Sequence, residues 1–251
     1  MVEAVQDEAL QEDPSRMSLW EHLEELRKRL VICIITLLAG FVVCWFFREP
    51  IFNVVQAPFV RFVEKGDRLS FISLTEPIMV YMKVSALASL IFTSPIIITQ
   101  LWLFISPGLY KKERMYALPF IFFSTVFFLT GCLFCYYYVF PFACRYFLEV
   151  GNQFKQEVRV DDYFSLFSKL TLAIGLIFET PILAFFLARF GIINHHILLS
   201  KMKYAILLAF VISAVITPTP DMVTQSILAV PMIGLYAVSI LVAWIFGKKY
   251  D

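Results

Sequence analysis

Charge is what this chain has least of. Asp, Glu, Lys and Arg make up 16% of its 251 residues, against about 25% in soluble domains. The two signs nearly cancel, leaving a formal net charge of +1. That balance removes any bulk electrostatic case for a nucleic-acid partner. Histidine is scarce too, and His22, His195 and His196 all fall in polar stretches outside the apolar runs. Neither H-E-x-x-H nor G-x-S-x-G occurs, so no metal or nucleophile set points to an enzyme, and no cofactor is expected. The five cysteines (Cys33, Cys44, Cys132, Cys135 and Cys144) show no disulfide-framework spacing. Cys132 and Cys135 form a C-x-x-C, but they sit inside an apolar run with no second ligand pair, which favours packing. Low-complexity tracts and internal inverted repeats are absent as well.

What the chain has in excess is apolar surface. Hydrophobic residues make up 60%, against about 45–50% in soluble domains. A chain this small cannot fold that much apolar surface inside itself, because a small domain leaves much of its surface wet. A bilayer must supply the missing interior. With about 20 apolar residues needed per crossing, six spans are expected, at 30–47, 77–105, 119–140, 164–188, 204–217 and 222–246. The fold class is therefore all-α integral membrane. The second span is long enough to tilt. The fifth is short and is cut from the sixth by Pro218 and Pro220, so the last two form a hairpin that need not reach across a normal bilayer.

Loop charge sets the orientation. With the N-terminus inside, the inner segments hold Arg16, Arg27, Lys28, Arg29, Lys111, Lys112, Arg114, Arg189, Lys201, Lys203, Lys248 and Lys249. The outer loops hold only Arg48, Arg61, Lys65, Arg68, Arg145, Lys155 and Arg159. Both termini are thus expected in the cytoplasm. Residues 1–16 read as an acidic solvated tail, residues 17–246 as the membrane domain and residues 247–251 as a short inner terminus. Ser18 and Glu21 form a capping box. Leu19, Leu23, Leu26 and Leu30 then make an apolar stripe, with Glu24–Lys28 and Glu25–Arg29 as i,i+4 pairs. An amphipathic helix at the inner surface is expected to run into the first span.

Several segments are specific enough to carry a resemblance. Trp20-Glu-His-Leu-Glu-Glu-Leu-Arg-Lys-Arg-Leu30 resembles the H-L-x-E-L-R-x-R-L signature of TatC proteins. Ser94-Pro95 and the run from Gln100 to Arg114 resemble that family's second-span end and first cytoplasmic loop. Phe178-Glu-Thr-Pro181 is similar to its F-E-x-P motif, and Thr217-Pro-Thr-Pro-Asp221 with Gln225 to its T-P-x-P-D turn. The resemblance covers about residues 17–246. It implies the core receptor of the twin-arginine translocase in the bacterial cytoplasmic (inner) membrane. Such a receptor binds paired-arginine signal peptides and works with the single-span subunits TatA and TatB, associating with further copies of itself. It helps export folded proteins on the proton-motive force.

By position the resemblance assigns Glu25, Phe104 and Glu113 to signal-peptide binding. The chemistry agrees, since a guanidinium fork is best met by carboxylates. The ordinary alternatives are an intrahelical pair with Arg29 for Glu25, plain packing for Phe104, and a solvated loop acid for Glu113. Glu179 is a lone acid well inside span four, where charge is expensive and marks function. It reads as a polar spot on a concave face for a partner helix or signal peptide, with a buried hydrogen bond to another span as the alternative. Gln225 is a second candidate partner contact. Asp221 is expected to cap the sixth helix. Pro58, after a short segment 50–56, resembles a family position in the first outer loop. Lys83 and Lys169 are expected to snorkel. An ion-coupled solute transporter is the competing reading of the intramembrane acid.

Overall fold

The computed structural model describes residues 19–61, 69–105, 117–151, 153, 157–217 and 221–247. Among them the regular secondary structure is helical, apart from one isolated parallel bridge between Ser70 and Arg159. We number the α-helices in chain order: α1 Leu19–Phe46, α2 Arg48–Val60, α3 Glu76–Ile105, α4 Ala117–Phe134, α5 Phe140–Val150, α6 Val160–Ile177, α7 Thr180–Arg189, α8 His195–Ser200, α9 Met202–Ile216 and α10 Met222–Phe246. Among the described residues, five stretches are long and apolar enough to cross a membrane, and α9 is a shorter apolar helix. Spans one, two and six are α1, α3 and α10; α4–α5 and α6–α7 each make one crossing.

The lengths depart from hydropathy in informative places. The third crossing was expected to stop at residue 140. Instead α4 passes through a π-helical turn, Cys135–Val139, directly into α5 and stays helical to Val150. The turn widens the helix where Pro141 lacks an amide donor, and π-bulges of this kind accommodate such local defects. The fourth crossing begins at Val160, four residues before the expected start, and is broken at Phe178-Glu179. Pro181 is the cause, because a proline frees the carbonyl four residues earlier. That carbonyl, on Ile177, accepts instead from Thr180 Oγ1 at 2.6 Å.

Side chains serve Pro95 and Pro58 in the same way. Pro95 lies inside α3, and the Ile91 carbonyl it frees accepts from Ser94 Oγ at 2.8 Å. Pro58 does not follow a short helix, as expected, but lies buried inside α2. Its orphaned Val54 carbonyl accepts from Tyr136 Oη at 2.8 Å, so the helix runs on to Val60. Tyr163 Oη donates to the next carbonyl, Val55, also at 2.8 Å.

Two apolar cores hold the bundle. The larger joins α2, α3, the π-turn, α5, α6 and α10 through Val55, Phe59, Val80, Phe140, Tyr163, Phe164 and Leu228. The smaller sits toward the inner end, where Trp102 of α3 stacks on Phe120 of α4 at 4.4 Å and both meet Phe186 of α7. Helix α1 packs along α3 by close approach. A Cβ at Gly40 would stand 2.6 Å from Ser89 Oγ and 2.8 Å from Thr93 Cγ2. Ser89 Oγ also donates to the Leu37 carbonyl at 2.8 Å, a small-residue interface of the kind membrane helices favour. The opposite side of α1 exposes Val31, Ile34, Ile35, Leu38 and Val42, which suits lipid.

At the outer end the two long loops are clipped together. Ser70 N donates to the Val158 carbonyl and Val160 N to the Ser70 carbonyl, both at 2.9 Å. Glu76, only 6% exposed, accepts from Ile72 N and Ser73 N, and Arg159 approaches the same oxygen at 3.5 Å. Lys83 is paired with Asp161 across α3 and α6, so it is held by a counter-ion as well as lying near a span end.

Candidate functional site

The first candidate site lies where α1 enters the membrane beside the inner end of α3. His22, Glu25 and Arg29 fall at i, i+3 and i+7, one face of α1 by helical spacing. Gln100 and Phe104 fall at i and i+4 on α3, and the two faces meet. The His22 and Phe104 rings stack at 4.5 Å with 21° between planes. Arg29 Nη1 donates to Gln100 Oε1 at 3.1 Å, and Arg29 Nη2 to Glu25 Oε1 at 3.2 Å. Arginine 29 therefore fixes the orientation of Glu25. The pair is partly sheltered, with side-chain exposures of 25% for Arg29 and 16% for Glu25. Among the described residues, Glu25 Oε2 and Arg29 Nε are both buried without a hydrogen-bond partner. An unmet carboxylate oxygen in a sheltered place costs free energy until a donor arrives.

The structure thus brings Glu25 and Phe104 to one helix–helix contact. Glu113 lies outside the described residues, in the segment that follows α3. Gln100 and His22 were missed as site members by the sequence reading. The available signal was spacing: each lies one turn from a chosen residue on the same face.

The second candidate site is inside the bilayer. Glu179 occupies the break between α6 and α7, and Ser124 Oγ of α4 donates to its Oε2. Its other oxygen, Oε1, is buried without a partner among the described residues, as is Thr125 Oγ1 on the same stretch of α4. Sequence alone gave no reason to select Ser124 from its apolar surroundings. Gln225 is not near this acid. It is the fourth residue of α10, at the outer mouth of the last hairpin, whereas Glu179 lies nineteen residues past the outer start of α6. The Gln225 carbonyl accepts from Ser213 Oγ at 2.6 Å, which ties α9 to α10. Asp221 caps α10, accepting from Thr224 N at 3.0 Å. Pro218 and Pro220 lie outside the described residues.

Fold and site together define a class: a multi-pass helical membrane protein with one sheltered carboxylate at its cytoplasmic end and another at bilayer depth. The family model described as Sec-independent protein translocase protein (TatC) matches residues 21–231. The chain is 40% identical over 249 residues to the TatC of Koribacter versatilis (strain Ellin345), covering 98% of this chain and 92% of that one. It is 44% identical over 223 residues to the TatC of Helicobacter pylori (strain ATCC 700392 / 26695), covering 88% and 85%. A crystal structure titled Twin Arginine Translocase Receptor- TatC superimposes with a TM-score of 0.79 at 37% identity, covering 89% of this chain and 98% of that one. The same receptor crystallised in DDM gives 0.81 at 36%, covering 91% and 100%. The chain belongs to the TatC family of Sec-independent protein translocase proteins, multi-pass proteins of the bacterial cytoplasmic membrane.

Proposed function

We propose that this chain is the receptor and core component of a twin-arginine translocase, that it binds signal peptides bearing paired arginines, and that it helps move folded proteins outward on the proton-motive force. Its partners in this reading are single-span TatA and TatB subunits, with further copies of itself in the complex. Its work is recognition and transport, with no covalent chemistry. The observation that carries the reading is the Oε2 of Glu25, buried and unpaired among the described residues near the His22–Phe104 stack, with Arg29 holding the other oxygen. An incoming guanidinium is the donor that oxygen lacks, and its planar face suits an aromatic stack. Glu113 supplies the second carboxylate in this proposal, one for each arginine of the pair. Lys111, Lys112 and Arg114 flank it; they hold it ionised and repel cationic peptides whose charges are misplaced.

Glu179 and Gln225 are proposed as contact points for partner helices. The Glu179 Oε1 supports the first, being an acceptor at bilayer depth with no donor among the described residues. A photo-crosslinker placed beside the arginine pair of a precursor tests the receptor reading. Adducts to this chain that vanish with Glu113→Gln, in a protein that still folds, are expected. Undiminished adducts remove Glu113 from the site.

A further inference from the structure

Lys169 stands apart from the other intramembrane cation. Lys83 has Asp161 for a counter-ion, whereas no carboxylate pairs with Lys169 among the described residues. It is exposed, and it sits nine residues below the outer start of α6, about 13 Å down a helix rising 1.5 Å per residue. An unpaired ammonium at that depth is costly unless water or an anion reaches it.

Lys169 opens on a cavity of about 490 Å³ between α5, α6 and the outer end of α9, lined by Phe147, Leu148, Tyr163, Leu166, Lys169 and Thr217. The walls are apolar, apart from the ammonium, the Asp162 carboxylate and the hydroxyls of Tyr163, Ser165 and Thr217. Asp162 is not left as a bare anion there, since Arg159 Nη1 stands 3.9 Å from its Oδ2. Helix length gives a physical reason for the outer leaflet to come down to this level. At 15 residues, α9 spans about 22 Å, well short of the roughly 30 Å hydrocarbon core. Lys201 and Lys203 anchor its inner end at the cytoplasmic interface. Its outer end, Ile216 and Thr217, lines the same cavity as Lys169. A short span is met by thinning or dipping of the lipid around it, which lowers headgroups to the lysine.

We propose that this cavity seats an outer-leaflet anionic phospholipid, its phosphate on the Lys169 ammonium and one acyl chain along Phe147, Leu148 and Leu166. The lipid neutralises the cation and fills the gap above the short hairpin. A zwitterionic headgroup, which carries its own cation, gains less from the lysine.

Native mass spectrometry of the detergent-purified full chain, mixed with equal phosphatidylglycerol and phosphatidylcholine, tests this. The expected result is preferential retention of phosphatidylglycerol. Lys169→Gln should lower that preference about fivefold to tenfold, the size of one charge-assisted contact. Lys169→Arg should keep it, and the cytoplasmic Lys201→Gln should leave it unchanged. Equal retention of both lipids by the wild type, or unchanged preference in Lys169→Gln, overturns the proposal. So does a Lys169→Gln protein that keeps its lipid but loses a copurifying single-span helix with an acidic residue, since the cavity is then a protein contact. No signal peptide enters the experiment, so its outcome is separate from the receptor reading.

Discussion

At the residue scale the account turns on carboxylate oxygens. Glu25 has one oxygen paired with Arg29 and the other unpaired among the described residues, so Glu25→Gln keeps the shape and removes the charge that a guanidinium fork needs. Peptide crosslinking should fall about tenfold or more, while the melting temperature stays close to wild type, because a partly exposed ion pair contributes only about 0–1 kcal/mol. Glu25 was legible in the sequence as an acid on an amphipathic helix, but the pairing of Arg29 with both Glu25 and Gln100 was not, since Gln100 is 71 positions away. Ser124 makes the same point for Glu179. Ser124→Ala should destabilise the protein by about 1 kcal/mol, the usual worth of an interhelical hydrogen bond in lipid. Reversible unfolding from lipid–detergent mixtures measures it; no change would mean that Glu179 finds another donor.

Elements carry the next scale, where glycine and proline decide contacts. Gly40→Ala places a methyl group against Ser89 and Thr93, forcing α1 off α3 at a cost of about 1–3 kcal/mol. Gly234 has nothing within 4 Å of an added Cβ, so Gly234→Ala should be neutral and serves as the control. Tyr136→Phe removes the donor for the Val54 carbonyl that Pro58 leaves unpaired, and about 1–3 kcal/mol of stability should go with it. Equal stability of the two glycine variants would contradict the first of these claims, and a Tyr136→Phe protein as stable as wild type would contradict the other. The sequence made the existence of the helices legible, because apolar runs separated by charged loops leave few alternatives. It did not show the π-turn at Cys135–Val139 or the break at Phe178-Glu179. Hydropathy is insensitive to a one-residue change in helical register, and an apolar window looks the same on either side of a kink. Pro141 and Pro181 were visible, yet how each defect is absorbed depends on Thr180 and on packing from other helices.

For the whole molecule, the arrangement is a rigid apolar scaffold that shows polar chemistry at chosen depths. The aromatic cluster of Trp102, Phe120 and Phe186 fixes the inner end of α3, which carries Phe104. The clip between Ser70 and Arg159 ties the outer loops. Between them α9 is too short to span an undeformed bilayer. Spin labels at positions 217 and 221 should therefore report a depth below the normal outer headgroup plane, or a locally thin membrane; full headgroup depth in an unthinned bilayer would refute this. The central claim is recognition of paired guanidiniums by cytoplasmic carboxylates, and peptide binding to the chain reconstituted in lipid discs tests it most directly. A twin-arginine signal peptide should bind at least about tenfold more tightly than its twin-lysine counterpart, and Glu25→Gln with Glu113→Gln should erase the difference. Equal binding of the two peptides, or a preference that survives loss of both glutamates, would contradict it.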